Sequence, residues 1–199
     1  MKNLKKSDSV HVYVAHIPFK VDNKKITPAR AEEIESCADE RVRQQKFYVW
    51  KLLERALSQL GLSIEKLDIR RTDSGKWECP ECFFSLSHSG NFVAVAVSGE
   101  PVGVDIEKFD EPRFNRSLAE KILTAREKGD ISPNDLIALW TKKEAVFKLS
   151  GGKAFIPKNI ETADFPTVTK TIDSDDGSYF ITVASKNAKP IFYDIKPSV

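Results

Sequence analysis

Val-Gly-Val-Asp-Ile-Glu at 102–107 sets two carboxylates two residues apart, and Trp-Thr-Lys-Lys-Glu-Ala-Val-Phe-Lys at 140–148 adds a third carboxylate and a lysine. If the first segment is a strand, alternate side chains leave the same face, so Asp105 and Glu107 share one side and Ile106 takes the other. Taken alone the pair reads as a solvated acidic strand end. With Glu144 and Lys148 presented by a helix, the four residues have the composition of a magnesium-phosphate site, because magnesium takes hard oxygen ligands. Gly103 removes a side chain where a bulky ligand could approach the backbone.

The helix that must carry Glu144 and Lys148 is bounded by its own signals. Ser132 can cap it, Pro133 suits the first helical position, Asp135 lies three residues past the cap, and Gly151-Gly152 ends it. Steps of four place Trp140, Glu144 and Lys148 on one stripe, with Glu144 and Lys148 as neighbours. On a solvated face they would form an ordinary ion pair worth about 0.3 to 0.5 kcal/mol. Leu139, Trp140, Ala145, Val146, Phe147 and Leu149 instead make the helix apolar nearly all round, which predicts burial. A buried Glu and Lys need a reason.

Phe83-Phe84-Ser85-Leu86-Ser87-His88-Ser89-Gly90 alternates apolar and small polar residues as a strand does. The hydroxyls and imidazole at its end can donate to phosphate oxygens, whereas His88 alone reads as a turn or hydrogen-bonded structural histidine.

In this order the three segments resemble the 4′-phosphopantetheinyl transferase family, in its larger single-chain branch, the surfactin-synthetase-activating type. The resemblance runs from Asp68 to Pro157 and is weaker over the basic helical stretch Arg41 to Leu57. It implies an α+β fold of two similar α/β halves related by pseudo-twofold symmetry, each with a small, mainly antiparallel sheet packed on helices. The halves would be 1–99 and 100–199, the second carrying the metal site.

Position by position, the resemblance implies that Asp105, Glu107 and Glu144 hold Mg²⁺ on the pyrophosphate of coenzyme A and that Lys148 lies beside the departing phosphate. Ser87 and His88 match positions that touch the nucleotide phosphates, and Lys76 and Arg71 match the loop lining the nucleotide site. Arg41, Arg43, Lys46 and Lys51 meet the family's basic helix pattern loosely; Arg43 and Lys46 are taken as coenzyme A contacts, a solvated helix face being the other reading. Gly151-Gly152-Lys153-Ala154 departs from the family's glycine spacing. The implied reaction is attack by a serine hydroxyl of an apo acyl or peptidyl carrier protein on the coenzyme A β-phosphate, releasing 3′,5′-ADP. The hydroxyl needs a base, for which Glu144 is the best placed. Glu127 matches another family carboxylate and reads equally as a surface helix residue. The alternative function is a non-catalytic module that binds coenzyme A, another nucleotide or the carrier protein.

Composition agrees with such an enzyme without identifying it. A chain of 199 residues with 41% hydrophobic content can bury a core. A formal net charge of +2 without a long basic block argues against a dedicated nucleic-acid protein. No apolar run approaches the roughly 20 residues that span a bilayer, and Met1 leads into Lys2, Lys5 and Lys6 without a signal-peptide core. A soluble, cytoplasmic monomer is expected. Three cysteines do not suggest a disulfide framework, and Cys79-Pro80-Glu81-Cys82 reads as a tight turn rather than zinc, since Cys37, His11 and His16 do not complete a ligand set.

The pattern predicts a strand over Val10–Ile17 and helices from Pro28 to Leu60 interrupted near Ser36–Asp39. Strands follow at Phe83–Ser87, Phe92–Ser98 and Val102–Glu107, the last two joined as a hairpin by Gly99-Glu100. Helices are expected over Arg116–Lys128 and Pro133–Ser150, then strands over Asn159–Thr171, Tyr179–Ser185 and Pro190–Ile195 around a surface turn at Asp173–Gly177.

Overall fold

The computed structural model describes residues 9–22, 26–72, 75–127, 129–187 and 189–195. Its elements are β1 (Ser9–His16), α1 (Pro28–Glu35), α2 (Glu40–Gln59), β2 (Arg70–Arg71), β3 (Trp77–Glu78), β4 (Phe83–Ser89), β5 (Phe92–Ser98), β6 (Val102–Lys108), α3 (Arg116–Ile122), α4 (Pro133–Ser150), β7 (Thr167–Ser174), β8 (Gly177–Ser185) and β9 (Lys189–Ile195). The chain is thus mixed α+β.

Strand alternation sorts the core into layers. One sheet has the order β4-β5-β1-β9 and another β6-β8-β7. On β1, Val10, Val12 and Val14 join Ala94 and Ala96 of β5 against Val104 and Ile106 of β6 and Ile181 and Val183 of β8. The opposite face of the first sheet, with Tyr13, Val93, Val95 and Val97, packs on Val49, Trp50, Leu53 and Leu57 of α2. Asp39 caps that helix, accepting from Val42 N at 3.0 Å. On the far side of the second sheet, α4 packs Ala145, Val146 and Leu149 near Ala184. It starts at Ser132, whose hydroxyl accepts from Asp135 N at 3.2 Å, and ends at Gly151 with φ 66°.

Three expectations are corrected. The strands joined by Gly99-Glu100 are no hairpin: both edges of β5 are taken, by β4 and β1, so β6 pairs with β8 in the other sheet. The helix from Arg116 ends at Ile122, where Leu123 is extended (ψ 130°) and Glu127 Oε2 accepts from Thr124 N at 3.0 Å, drawing the chain into a turn; Lys128 lies outside the described residues. Residues 157–159 and 162–164 form 3-10 turns, and the strand expected from Asn159 begins at Thr167.

Where β4 meets β6 the contact runs through side chains. The hydroxyls of Ser85, Ser87 and Ser89 accept from the backbone N–H groups of Val104, Ile106 and Lys108 at 3.0, 3.3 and 3.0 Å. The two-residue step of both strands keeps the series in phase and sets β4 beside the carboxylates of β6.

Candidate active site

The serine series also orients the acids. Ser87 Oγ donates to Asp105 Oδ1 at 2.8 Å and Ser89 Oγ to Glu107 Oε2 at 2.8 Å. From α4, Lys148 Nζ reaches Asp105 Oδ1 at 2.7 Å and Ser87 Oγ at 3.0 Å, so one ammonium joins the three sequence segments. Its ion pair is therefore with Asp105, not the helical neighbour Glu144. Ser87 has its donor and both lone pairs engaged.

Two sequence readings change here. Asp105 is 4% exposed, not solvated, because β4 and α4 close over it. Gly103 makes room for the helix rather than a ligand: a Cβ there would lie 1.9 Å from Ala145 O and 2.7 Å from Leu149 N. That close approach is what brings Lys148 down onto β6.

Glu107 is held by Arg113, whose Nη2 lies 3.2 Å from Oε1, and by Trp140 Nε1 at 3.2 Å. The Glu144 carboxylate makes no hydrogen bond or ion pair among the described residues. Burial first, then the Asp105 charge, pushes its carboxyl up to about 7, with Lys148 opposing. Burial likewise raises Asp105 against the pull of Lys148, and its Oδ2 is buried without a partner. The orphaned oxygen of Asp105, with Glu107 and Glu144 near enough to raise its carboxyl or be raised by it, offers the hard oxygen donors that a divalent cation takes. Among the described residues, however, no three His, Cys, Asp or Glu groups are already gathered to hold one.

The basic residues assemble around a carboxylate that sequence reading missed. Glu33 on α1 meets Lys46 Nζ at 3.1 Å, Arg71 Nη2 at 3.7 Å and Arg30 Nη1 at 2.5 Å, and accepts from Trp77 Nε1 at 3.1 Å. Arg30 is buried, 5.2 Å from the Trp50 ring and 6.0 Å from that of Trp77, and donates to Lys46 O at 2.7 Å. Burial raises the Glu33 carboxyl, but these cations outweigh it and hold the group below its ordinary range. Three cations against one carboxylate leave an excess of positive charge. Ala-Glu-Glu-Ile-Glu offered no cue, since acidic runs on short helices are usually solvated.

His88 lies within the field of both clusters. Burial, then Lys148, Arg30 and Lys46, lower its pKa to about 4, leaving it neutral at pH 7. The turn beyond it is pinned by Gln45 Nε2 to Gly90 O at 2.8 Å and Asn91 N to Tyr179 OH at 3.0 Å. Lys76 and Lys148 line one cavity of about 440 Å³ with Trp77, Ser85, Phe147 and Phe155. Arg43 is half-buried, and its guanidinium makes no hydrogen bond or ion pair among the described residues. Lys51 pairs with Asp22 at 3.0 Å and Glu54 at 2.8 Å, a local structural role. Glu127 meets buried Lys143 at 2.7 Å, and Lys143 also donates to Ile160 O at 2.7 Å, which ties the 3-10 turns to α4. Cys79 and Cys82 are free thiols in a turn.

Residues 101–192 match the model of a family described as the 4′-phosphopantetheinyl transferase superfamily. The chain is also similar to three curated proteins of that name. Psf-1 of Bacillus pumilus is 34% identical over 101 residues, 46% of this chain and 42% of the relative. Ffp of Bacillus subtilis is 28% identical over 141 residues, 60% and 62% of the two chains. AcpT of Salmonella typhimurium (strain LT2) is 40% identical over 82 residues, 37% and 42%. The chain thus spans between 42% and 62% of the length of these relatives.

Proposed function

We propose that this chain, whose residues 101–192 match the model of the 4′-phosphopantetheinyl transferase superfamily, moves 4′-phosphopantetheine from coenzyme A to a serine of an apo acyl or peptidyl carrier protein, releasing 3′,5′-ADP. The observation that carries this reading is the Lys148 ammonium, 2.7 Å from Asp105 and 3.0 Å from Ser87, which joins the motifs of β4, β6 and α4 in one centre.

In the reaction the serine oxygen bonds to the β-phosphorus of coenzyme A while the bond from that phosphorus to the bridging oxygen breaks. The bonding pair leaves with 3′,5′-ADP, and the serine proton passes to Glu144 directly or through a water. In the metal-free protein burial pushes this carboxyl up to about 7, and a cation held by it would lower that value. Lys148 offsets charge on the pyrophosphate, and Ser87, engaged with Asp105 and Lys148, holds that ammonium in place. Asp105, Glu107 and Glu144 would hold Mg²⁺, which would supply further neutralisation of the pyrophosphate. Lys46 and Arg71, collected by Glu33, together with Lys76, His88 and Ser87, which would exchange one of its present partners, form the proposed coenzyme A contacts; half-buried Arg43, whose guanidinium has no partner among the described residues, completes the set. Burial first, and then the surrounding cations, keep His88 neutral, and phosphate beside it would oppose only the second. The same proposal includes the pseudo-twofold halves 1–99 and 100–199, a monomer, and a cytoplasmic location; no helix among the described residues is long and apolar enough to cross a membrane.

Mass spectrometry of an apo carrier protein incubated with this chain, coenzyme A and Mg²⁺ tests the proposal. One phosphopantetheine is expected on the carrier, and none in excess EDTA. Coenzyme A binding without any gain on a panel of apo carriers would favour a non-catalytic module, and transfer undiminished by EDTA would remove the metal.

A further inference from the structure

A carboxylate offers about four lone-pair positions, and those of Glu107 are filled. Its Oε1 accepts from Trp140 Nε1 at 3.2 Å and Arg113 Nη2 at 3.2 Å; its Oε2 accepts from Ser89 Oγ at 2.8 Å and Arg113 Nη1 at 3.3 Å. Asp105 keeps a buried Oδ2 without a hydrogen-bond partner, and the Glu144 carboxylate has no hydrogen bond or ion pair among the described residues. Of the three acids, Glu107 is therefore the one that must release a donor before it can ligate a cation.

The donors differ in how firmly they are tied. Ser89 also accepts from Lys108 N at 3.0 Å, and Trp140 sits on α4 with its ring 5.4 Å from that of Phe155. Arg113 follows β6 in a turn, its side chain is 44% exposed, and its bonds are no shorter than the others. It also has somewhere to stay once released, with the guanidinium 5.2 Å from the Phe114 ring and 5.4 Å from the Trp140 ring. A divalent ion on Glu107 would repel the guanidinium that now grips both oxygens.

The geometry points to Arg113 as a displaceable counter-ion of Glu107, a positioning residue that holds the carboxylate in the metal-free protein and competes with the divalent cation for it. This inference rests on the metal reading of the site. Arg113 thereby sets the metal affinity without being a ligand, and metal binding frees its guanidinium.

Mn²⁺ binding to the full chain, without coenzyme or carrier, provides the test by electron paramagnetic resonance, with Mg²⁺ titration calorimetry beside it. Arg113→Gln is expected to tighten Mn²⁺ binding about fivefold, the upper end for a half-exposed ion pair. Arg113→Lys, which keeps the charge and loses the fork, should fall between it and the wild type and serves as well should the glutamine variant not fold. Arg116→Gln removes the same charge from an exposed pair with Glu120 and should leave affinity within about twofold. Equal or weaker binding in Arg113→Gln, or the same tightening in Arg116→Gln, overturns the inference while the metal reading stands. A wild-type chain whose Mn²⁺ binding is absent, or survives Asp105→Asn unchanged, overturns both.

Discussion

Lys148 and Glu144 lie four residues apart on α4 yet have different partners, so their substitutions should separate. Glu144→Gln is expected to lower kcat at least about a hundredfold as the loss of a general base, with folding stability unchanged or raised, because burial disfavours its charge. Lys148→Ala strands the Asp105 carboxylate, 4% exposed, and should cost about 2 kcal/mol of stability; adding Asp105→Asn should restore much of that. Urea midpoints and kcat of the three variants check this, and matching losses in both single variants would contradict it. His88 carries a pH prediction. Its folded pKa of about 4 lies below the ordinary 6.5, so its contribution is complete above pH 6.5 and is lost as pH falls from there towards 4, by up to about 3 kcal/mol. Glu144, raised to about 7, acts in the opposite sense over part of that window. The difference between wild type and His88→Gln isolates the histidine: the wild type should lose more stability between pH 7 and 4, and parallel curves would count against the assignment.

Gly103 shows how one missing side chain sets the distance between two elements. With a Cβ 1.9 Å from Ala145 O, Gly103→Ala must push α4 away from β6, and the ammonium of Lys148 away from Asp105. A loss of about 3 kcal/mol or more is expected from overpacking against backbone. Thermal unfolding checks it; a wild-type midpoint would mean that α4 does not pack as closely as described. The serine series on β4 acts at the same scale, since hydroxyls that accept from β6 backbone also orient Asp105 and Glu107. A strand can therefore carry part of a candidate active site and join two sheets with the same residues.

Across the molecule the chain returns on itself. The last strand, β9, pairs in parallel with β1, the first, so the sheet that holds α2 is completed by residues from the C-terminal end. The two sheets share a core, and Tyr179 of β8 holds the β4–β5 turn through Asn91 N at 3.0 Å. The halves are thus expected to unfold together. Urea unfolding followed by tryptophan fluorescence, which samples Trp50 and Trp77 in the first half and Trp140 in the second, should coincide with the far-ultraviolet transition. Two separated transitions would show that the halves are independent.

Local chemistry made much of this legible in the sequence. Ser132, Pro133 and Gly151 bound α4 at its observed ends, and the two-residue step of β6 puts Asp105 and Glu107 on one face, because caps and strand alternation depend on near neighbours. Other features belong to residues far apart in the chain. Glu33 collecting Lys46, Arg71 and Trp77, Arg113 gripping Glu107 beneath Trp140, and Lys148 turning from Glu144 to Asp105 all depend on which surfaces meet. Gly99-Glu100 is a good hairpin turn in isolation, but the edges of β5 were taken by strands elsewhere in the chain. Competition for strand edges and the partnering of buried charge are settled by tertiary packing, where a contact hundreds of atoms away along the backbone weighs as much as an adjacent one.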